Sequence, residues 1–247
     1  ILRNSHKIQG VANDSKISTN RASVVLVYVD ATKGWLYTNE HNVADLQDLK
    51  FISATGGTIT TDGNFKVHSF TGDGNFVVSC GGNAAGSNTV NYLVVAGAGG
   101  GGAGPNNGYA GGGGAGGFRM ASCFSISAQS YPITVGGGGA AGSNGSNSVF
   151  ATISSAGGGA GGNGGGPEGD DGSPGGSGGG GGSSSTACET GPSGRNNGGT
   201  GNTPPVSPPQ GNNGGYGQHQ PGVSGQQGGG GGASQTGRNG DIPHSGT

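Results

Sequence analysis

Hydrophobic positions are dense in the first third of this chain and become islands in the rest. Residues 22–30 (ASVVLVYVD) form a β-branched run that predicts a strand buried on both faces or in a subunit interface. Thr32-Lys33-Gly34 predicts a turn and residues 35–38 (WLYT) a return strand, giving a β-hairpin. Residues 7–11 (KIQGV) read as a shorter, partly alternating strand. In residues 41–54 (HNVADLQDLKFISA), Val43, Leu46 and Leu49 recur at helical spacing, which predicts one or two helical turns or a connecting segment, in either case a hinge between modules. Residues 58–61, 65–70 and 76–80 predict an antiparallel meander, because an Asp-Gly-Asn-Phe turn signal at Asp62 repeats at Asp73.

Beyond Cys80 the apolar islands are 91–96 (NYLVVA), 130–135 (SYPITV) and 148–155 (SVFATISS). Pro132 places the second at a sheet edge or strand start. Each island runs straight into glycine, which suggests strands of one β platform that each launch a glycine segment. After Ser155 the pattern predicts no further strands, only glycine runs and polar linkers.

Composition sharpens this division. Glycine accounts for 65 of 247 residues, 7 of them before residue 80 and 58 after. Side chains cannot build a core in the second part. Collagen is excluded, because glycine comes in blocks rather than at every third position. A flexible, silk-like linker remains one reading. The other is a bundle of polyglycine II helices. Such extended helices have three residues per turn and no internal hydrogen bonds, so neighbours must satisfy their backbone groups. The expected fold is therefore mainly β: a β module, a β platform and a polyglycine II bundle or sandwich. The expected divisions are 1–40 (hairpin module), 41–54 (hinge) and 55–247 (glycine-rich domain, with its β part to 96 and its glycine part from 97).

Charge and chemistry narrow the function. A net charge of −2 leaves no footprint for nucleic acid, and 14 of the 22 charged residues precede residue 80. The longest apolar run, 24–29, is too short to span a membrane, so no membrane insertion is expected. Starting at Ile1 in mid-module, the chain reads as a fragment of a longer protein. Cys80, Cys123 and Cys188 fit neither a disulfide framework nor zinc. They read as buried small residues, with a Cys123–Cys188 bridge as the alternative. No lysine follows Lys66, so the glycine loops are not phosphate-binding loops. The Asp-Gly-Asn turns lack the spaced carboxylates of a calcium loop. Glu168, Asp170, Asp171, Glu189 and Asp241 lie in linkers and read as solvated charges, with a cation site at 168–171 as the sharper alternative. His219 and His244 have no nucleophile turn beside them. No catalytic residue, metal or cofactor is expected.

The positive signal is in the linkers. Asn106, Asn107, Tyr109, Phe118 and Arg119 surround one glycine run. Arg195 lies in the polar stretch 188–197, residues 202–209 (NTPPVSPP) form a Pro-rich arch, and Tyr216, Gln218 and His219 follow it. Aromatic rings, amides and arginine on loops are what polar or glycan surfaces are recognised with. Phe118 instead reads as a cap covering the end of the bundle. The candidate binding residues are Asn106, Asn107, Tyr109, Arg119, Arg195, Tyr216, Gln218 and His219.

Residues 7–40 (KIQGVANDSKISTNRASVVLVYVDATKGWLYTNE) resemble a β module of bacteriophage tail fibres and tail spikes. The stretch from Gly56-Gly57-Thr58 through residues 91–97 (NYLVVAG) and into the glycine runs resembles the glycine-rich domain of phage tail proteins. It is similar in principle to the distal adhesins of T-even-type phages, whose polyglycine II sandwich carries receptor-binding loops. The resemblance implies a non-enzymatic tail-fibre tip on the virion. It would form a homotrimer with other tail proteins as neighbours and attach to a host surface glycan or outer-membrane protein. A structural glycine-rich filament or sheath is the main alternative. An ice-binding polyglycine bundle and a capsule-degrading enzyme follow.

Overall fold

The computed structural model describes residues 5–15, 24–38, 50–84, 86–104, 109–165, 169–183, 195–220 and 223–240. Among these residues the architecture is all-β, with fourteen short strands and no helix. No helix among them is long and apolar enough to cross a membrane. Most of the predicted 41–54 hinge lies outside the described residues. Its end is extended rather than helical, because strand β3 covers Ile52–Thr55.

The chain divides into two compact units. One comprises Ile1–Ser53, Ser79–Thr89 and Ser125–Ala128; the other comprises Ala54–Val78, Val90–Phe124 and Gln129–Thr247. In the first unit, β1 (Leu26–Asp30) and β2 (Gly34–Tyr37) form the predicted hairpin. Asp30 Oδ1 closes the turn by accepting the Thr32 and Lys33 amides at 2.8 and 2.7 Å. Residues 7–11 form a small turn rather than a strand, with Ile8 and Val11 bonded to each other. Ile8, 3% exposed, is the apolar residue that this turn buries. Gly34 has φ +72°, and a Cβ there would lie 1.9 Å from the Lys7 carbonyl, so only glycine permits this approach. Of the two expectations for this run, burial on both faces does not hold within one chain, since Val25, Val27 and Val29 are exposed and no described residue of the unit covers that side; the other, burial in a subunit interface, concerns a second chain.

In the second unit, β4 (Thr58–Asp62) and β5 (Phe65–Ser69) pair around the first Asp-Gly turn. The predicted meander stops there. Strand β6 (Gly74–Gly81) pairs not with β5 but with β9 (Ser130–Thr134). The second Asp-Gly serves another purpose, since Asp73 Oδ1 accepts the Val135 amide at 2.8 Å. The sheet runs β11 (Ile153–Ser155), β10 (Ser148–Phe150), β9, β6, β3, so β9 is interior, not an edge. The bond from Val78 N to Gln129 O explains how Pro132 is tolerated there. Hydrogen-bonded positions of β9 toward β6 are then 129, 131 and 133, so the Pro132 nitrogen faces the other side. There β10 (Ser148–Phe150) pairs only with Ile133 and Thr134, leaving no ladder bond for Pro132 to break. Residues 148–155 are two strands, β10 and β11 (Ile153–Ser155), folded back at Ala151, whose φ is +52°.

Strands β7 (Thr89–Val95) and β8 (Phe118–Ser125) form a separate pair. Phe150 is 7% exposed and holds this part together. Its ring lies 5.4 Å from Phe124, 6.0 Å from Tyr131 and 6.2 Å from both Phe76 and Tyr92.

Strands β7, β9 and β11 each run directly into a glycine segment, at 96–104, 135–142 and 156–165. These segments make no ladder of their own. Each bonds to several neighbours, and the partner changes with a period of three. Along 96–104, Ala96, Gly99 and Gly102 donate to Gly117, Gly114 and Gly111. Gly97 and Gly100 donate to Ser146 and Ser143, while their carbonyls accept from Gly158 and Gly161. Following such bonds places 135–142, 96–104, 109–117, 226–232 and 235–240 in one layer. Segments 143–147, 156–165, 176–183 and 210–217 form the next, and 169–175 and 196–202 a third. The central segment 176–183 is ringed by 109–117, 156–165, 169–175, 196–202, 210–217 and 226–232. Fixing glycine costs more backbone entropy than fixing any other residue. The compensation is that almost every interior amide and carbonyl finds a partner.

Side chains complete this lattice where segments run out. Asn144 and Asn147 Oδ1 accept the Ala160 and Gly157 amides at 2.7 and 2.9 Å. Asp171 Oδ1 accepts Asn197 N, and Asn213 Oδ1 accepts Gly201 N. Gln210, 1% exposed, is the largest fully buried side chain among the described residues. Its Oε1 accepts Ala156 N at 2.8 Å and its Nε2 donates to Pro204 O at 2.9 Å, tying the Pro-rich arch to the bundle. Asn202 Oδ1 closes that arch by accepting the Val206 and Gln210 amides.

Candidate binding site at the loop end of the bundle

One end of the glycine bundle joins the platform strands. The described residues at the other end are 104, 109, 165, 169, 183, 195, 216–220 and 223–226, reached from segments that are bonded side by side. Here the polar stretches read as linkers form a three-stranded sheet, contrary to the expectation that strands stop at Ser155. Its order is β12 (Arg195–Asn196), β13 (Gly217–Gln220), β14 (Val223–Gln226). Arg195 pairs with Gln218, and Gln218 with Gln226.

The sheet is fixed to the bundle by polar contacts. Asn196 Nδ2 donates to Gly182 O at 2.9 Å. Ser183, fully buried, donates its amide to Tyr109 O at 2.7 Å and its hydroxyl to Gln218 O at 3.1 Å. Gly225 lies against both: a Cβ there would stand 2.2 Å from Ser183 Oγ and 2.9 Å from Tyr109 Cδ1. Tyr216 is held through its backbone, its amide donating to Asn239 Oδ1 and its carbonyl accepting from Gly240. The exposed Arg195 guanidinium lies 4.3 Å over the Tyr216 ring, within cation–π range. His219 is half-buried, and its Nδ1 is sealed from solvent without a hydrogen-bond partner.

The structure thus brings together Tyr109, Arg195, Tyr216, Gln218 and His219 at one end. Arg119 does not join them. It follows Gly117 at the platform end, where its guanidinium donates to Ser154 O at 3.0 Å. An extended segment rises about 3 Å per residue, so roughly 30 Å of chain separates Arg119 from Tyr109. Asn106 and Asn107 lie outside the described residues, as do Glu168, Cys188, Glu189, Asp241 and His244. Phe118 belongs to β8 at the platform end and is 37% exposed. Asp170 accepts from Asn163 Nδ2 at 2.9 Å and Asp171 from the Asn197 amide, so both serve the lattice. Cys123, read as buried, is an exposed free thiol at φ +60°, and Cys80 is free and half-buried. Among the described residues no group of three or more His, Cys, Asp or Glu could hold a metal ion.

Sequence reasoning missed Ser183, Asn196 and Gly225, which position the site. The Pro221-Gly222 turn signal between two polar stretches marked the β13–β14 hairpin and was available.

Fold and site define a glycine-rich protein whose interior is backbone rather than side chain, carrying a polar, aromatic end. A family model described as a glycine-rich domain matches residues 71–247, and the chain belongs to that family. No curated protein and no solved structure matches it.

Proposed function

We propose that this protein is the receptor-binding tip of a bacteriophage tail fibre, whose glycine segments are polyglycine II helices. It attaches the virion to a host surface glycan or outer-membrane protein without covalent chemistry. The observation that carries this reading is the Arg195–Tyr216 stack on a small sheet at the loop end, with Tyr109, Gln218 and His219 beside it. Aromatic rings and arginine dominate the energetics of recognition surfaces. A ring face, a guanidinium, amides and an imidazole suit a polyhydroxylated or polar surface. The period of three in bonding partners supports the polyglycine II assignment. A stem held by interior hydrogen bonds presents its end already ordered, which lowers the entropy lost on binding. Several tips on one virion, or three in a homotrimer beside other tail proteins, convert weak contacts into avidity.

Adsorption blocking tests this. The full chain, added to host cells before the phage, should slow adsorption, and the double variant Arg195→Ala/Tyr216→Ala should need at least about tenfold more protein for the same block. Equal blocking by a variant that melts like the wild type removes the site from that end. Failure of the wild type to block at all favours the filament reading.

A further inference from the structure

Side chains meet some of the open backbone groups of the glycine lattice: Asn147 and Asn144 accept the Gly157 and Ala160 amides, and Asp171 and Asn213 the Asn197 and Gly201 amides. On the outer side of 96–104 and of 109–117 beside it, no side chain among the described residues does this. The amides of Ala98 and Gly101 donate to nothing among the described residues, and the carbonyls of Gly99 and Gly102 accept from nothing. Donors and acceptors repeat there three residues apart on one face.

That face continues onto β7 and β8. Segments 96–104 and 109–117 run antiparallel with Ala96 bonded to Gly117, Gly99 to Gly114 and Gly102 to Gly111. Carried back into the β7–β8 pair, the same register sets Leu93 opposite Met120 and Val95 opposite Phe118. All four are exposed, Leu93 at 60% and Met120 at 64%. Their neighbours Val94 and Ala96 point the other way and are buried, so this ribbon is apolar on both faces but covered on one. Next along the register come Ala98 opposite Ala115, then Gly101 opposite Gly112. Side-chain size therefore falls stepwise from the platform toward the loop end, with no charged residue among these positions.

We infer that this tapered face is where copies of the chain associate. A contiguous exposed apolar patch is uncommon on an isolated monomer. A second copy is the partner that fits, because the same face offers both backbone donors and acceptors and is therefore self-complementary. It also carries no side-chain charge that would select a different protein. The taper lets backbones approach most closely at Gly101, which gathers the loop ends of neighbouring copies. This assignment is independent of what the loop end binds.

Sedimentation equilibrium of the full chain decides it. The wild type should be an oligomer, and Met120→Asp should reduce it to single chains. Gly101→Gln should weaken association at least about tenfold by blocking close approach. Folding should tolerate that change, since a Cβ at Gly101 meets nothing nearer than the Gly111 carbonyl at 3.7 Å. A wild type that sediments as a single chain overturns the proposal. So does a Gly101→Gln variant that melts like the wild type and associates with unchanged affinity. If Met120→Asp fails to fold, the Gly101→Gln result stands alone as the test.

Discussion

The β platform and the glycine bundle solve the same problem with opposite materials. Around Phe150 the platform buries aromatic side chains, and its strands need only the ordinary ladder. In the bundle the backbone itself is the interior, and side chains appear at margins, where amides and carboxylates finish a lattice that glycine cannot. A hydrophobic core absorbs a changed methylene by repacking flexible side chains. A lattice of peptide groups has nothing flexible to move. Tolerance in the two regions should therefore follow different rules: volume in one, position in the other.

The sharpest break of that comparison is a single methyl. At Gly179, in the central segment, a Cβ would stand 1.8 Å from the Ala160 carbonyl oxygen and 2.4 Å from its carbon. Gly179→Ala should abolish cooperative folding of the bundle, because rigid backbone on all sides prevents local relief. Gly137→Ala meets nothing within 4 Å and should be neutral or stabilising by up to about 1 kcal/mol. Thermal unfolding of both variants checks this. Comparable melting temperatures for the two would mean that backbone packing does not determine the fold.

The platform should answer to side-chain volume instead. Phe150→Ala removes the ring that Phe76, Tyr92, Phe124 and Tyr131 pack against. A loss of about 3–5 kcal/mol is expected from denaturant titration, and Phe150→Leu should recover most of it. A loss below about 1 kcal/mol for the alanine variant would place the stability elsewhere.

How much of this was visible in the sequence follows the same division. The β1–β2 and β4–β5 hairpins were legible because β-branched runs and Gly turns are local signals. The coupling of strand to glycine segment was legible from their order. Strand β8 was not, since FRMASCFS lacks clean alternation and is broken by a left-handed Cys123. The break at Ala151 carries no Gly or Pro to announce it. Pro132 was misread because its tolerance depends on how short β10 is, a fact about another segment. At the loop end, the sequence named Tyr109, Arg195, Tyr216, Gln218 and His219 by residue type alone. It placed Arg119 with Tyr109 because both flank one glycine run, and an extended run is what puts its two flanks at opposite ends. The lattice roles of Asn144, Asp171 and Gln210 depend on which backbone group is left over, which no spacing rule encodes.

The smallest expected effect belongs to the hairpin, where a carboxylate does what glycine neighbours do in the bundle. Asp30 accepts the Lys33 and Thr32 amides, and these bonds, with the Lys33 and Lys7 charges, hold its pKa below the ordinary 3.8. A depressed carboxyl pKa contributes stability above its unfolded value, and that contribution disappears as pH falls through the folded value. The turn should therefore loosen only below about pH 4, and weakly, because Asp30 is exposed. Trp35, the single tryptophan, lies on the return strand with Tyr28 5.4 Å away, so its fluorescence reports on the hairpin. Asp30→Asn keeps an acceptor for both amides but cannot titrate, and should flatten the acid-range change in that signal. An identical acid transition in the variant would assign the effect to another carboxylate. It would also leave the hairpin, unlike the bundle, without a side chain whose loss the backbone registers.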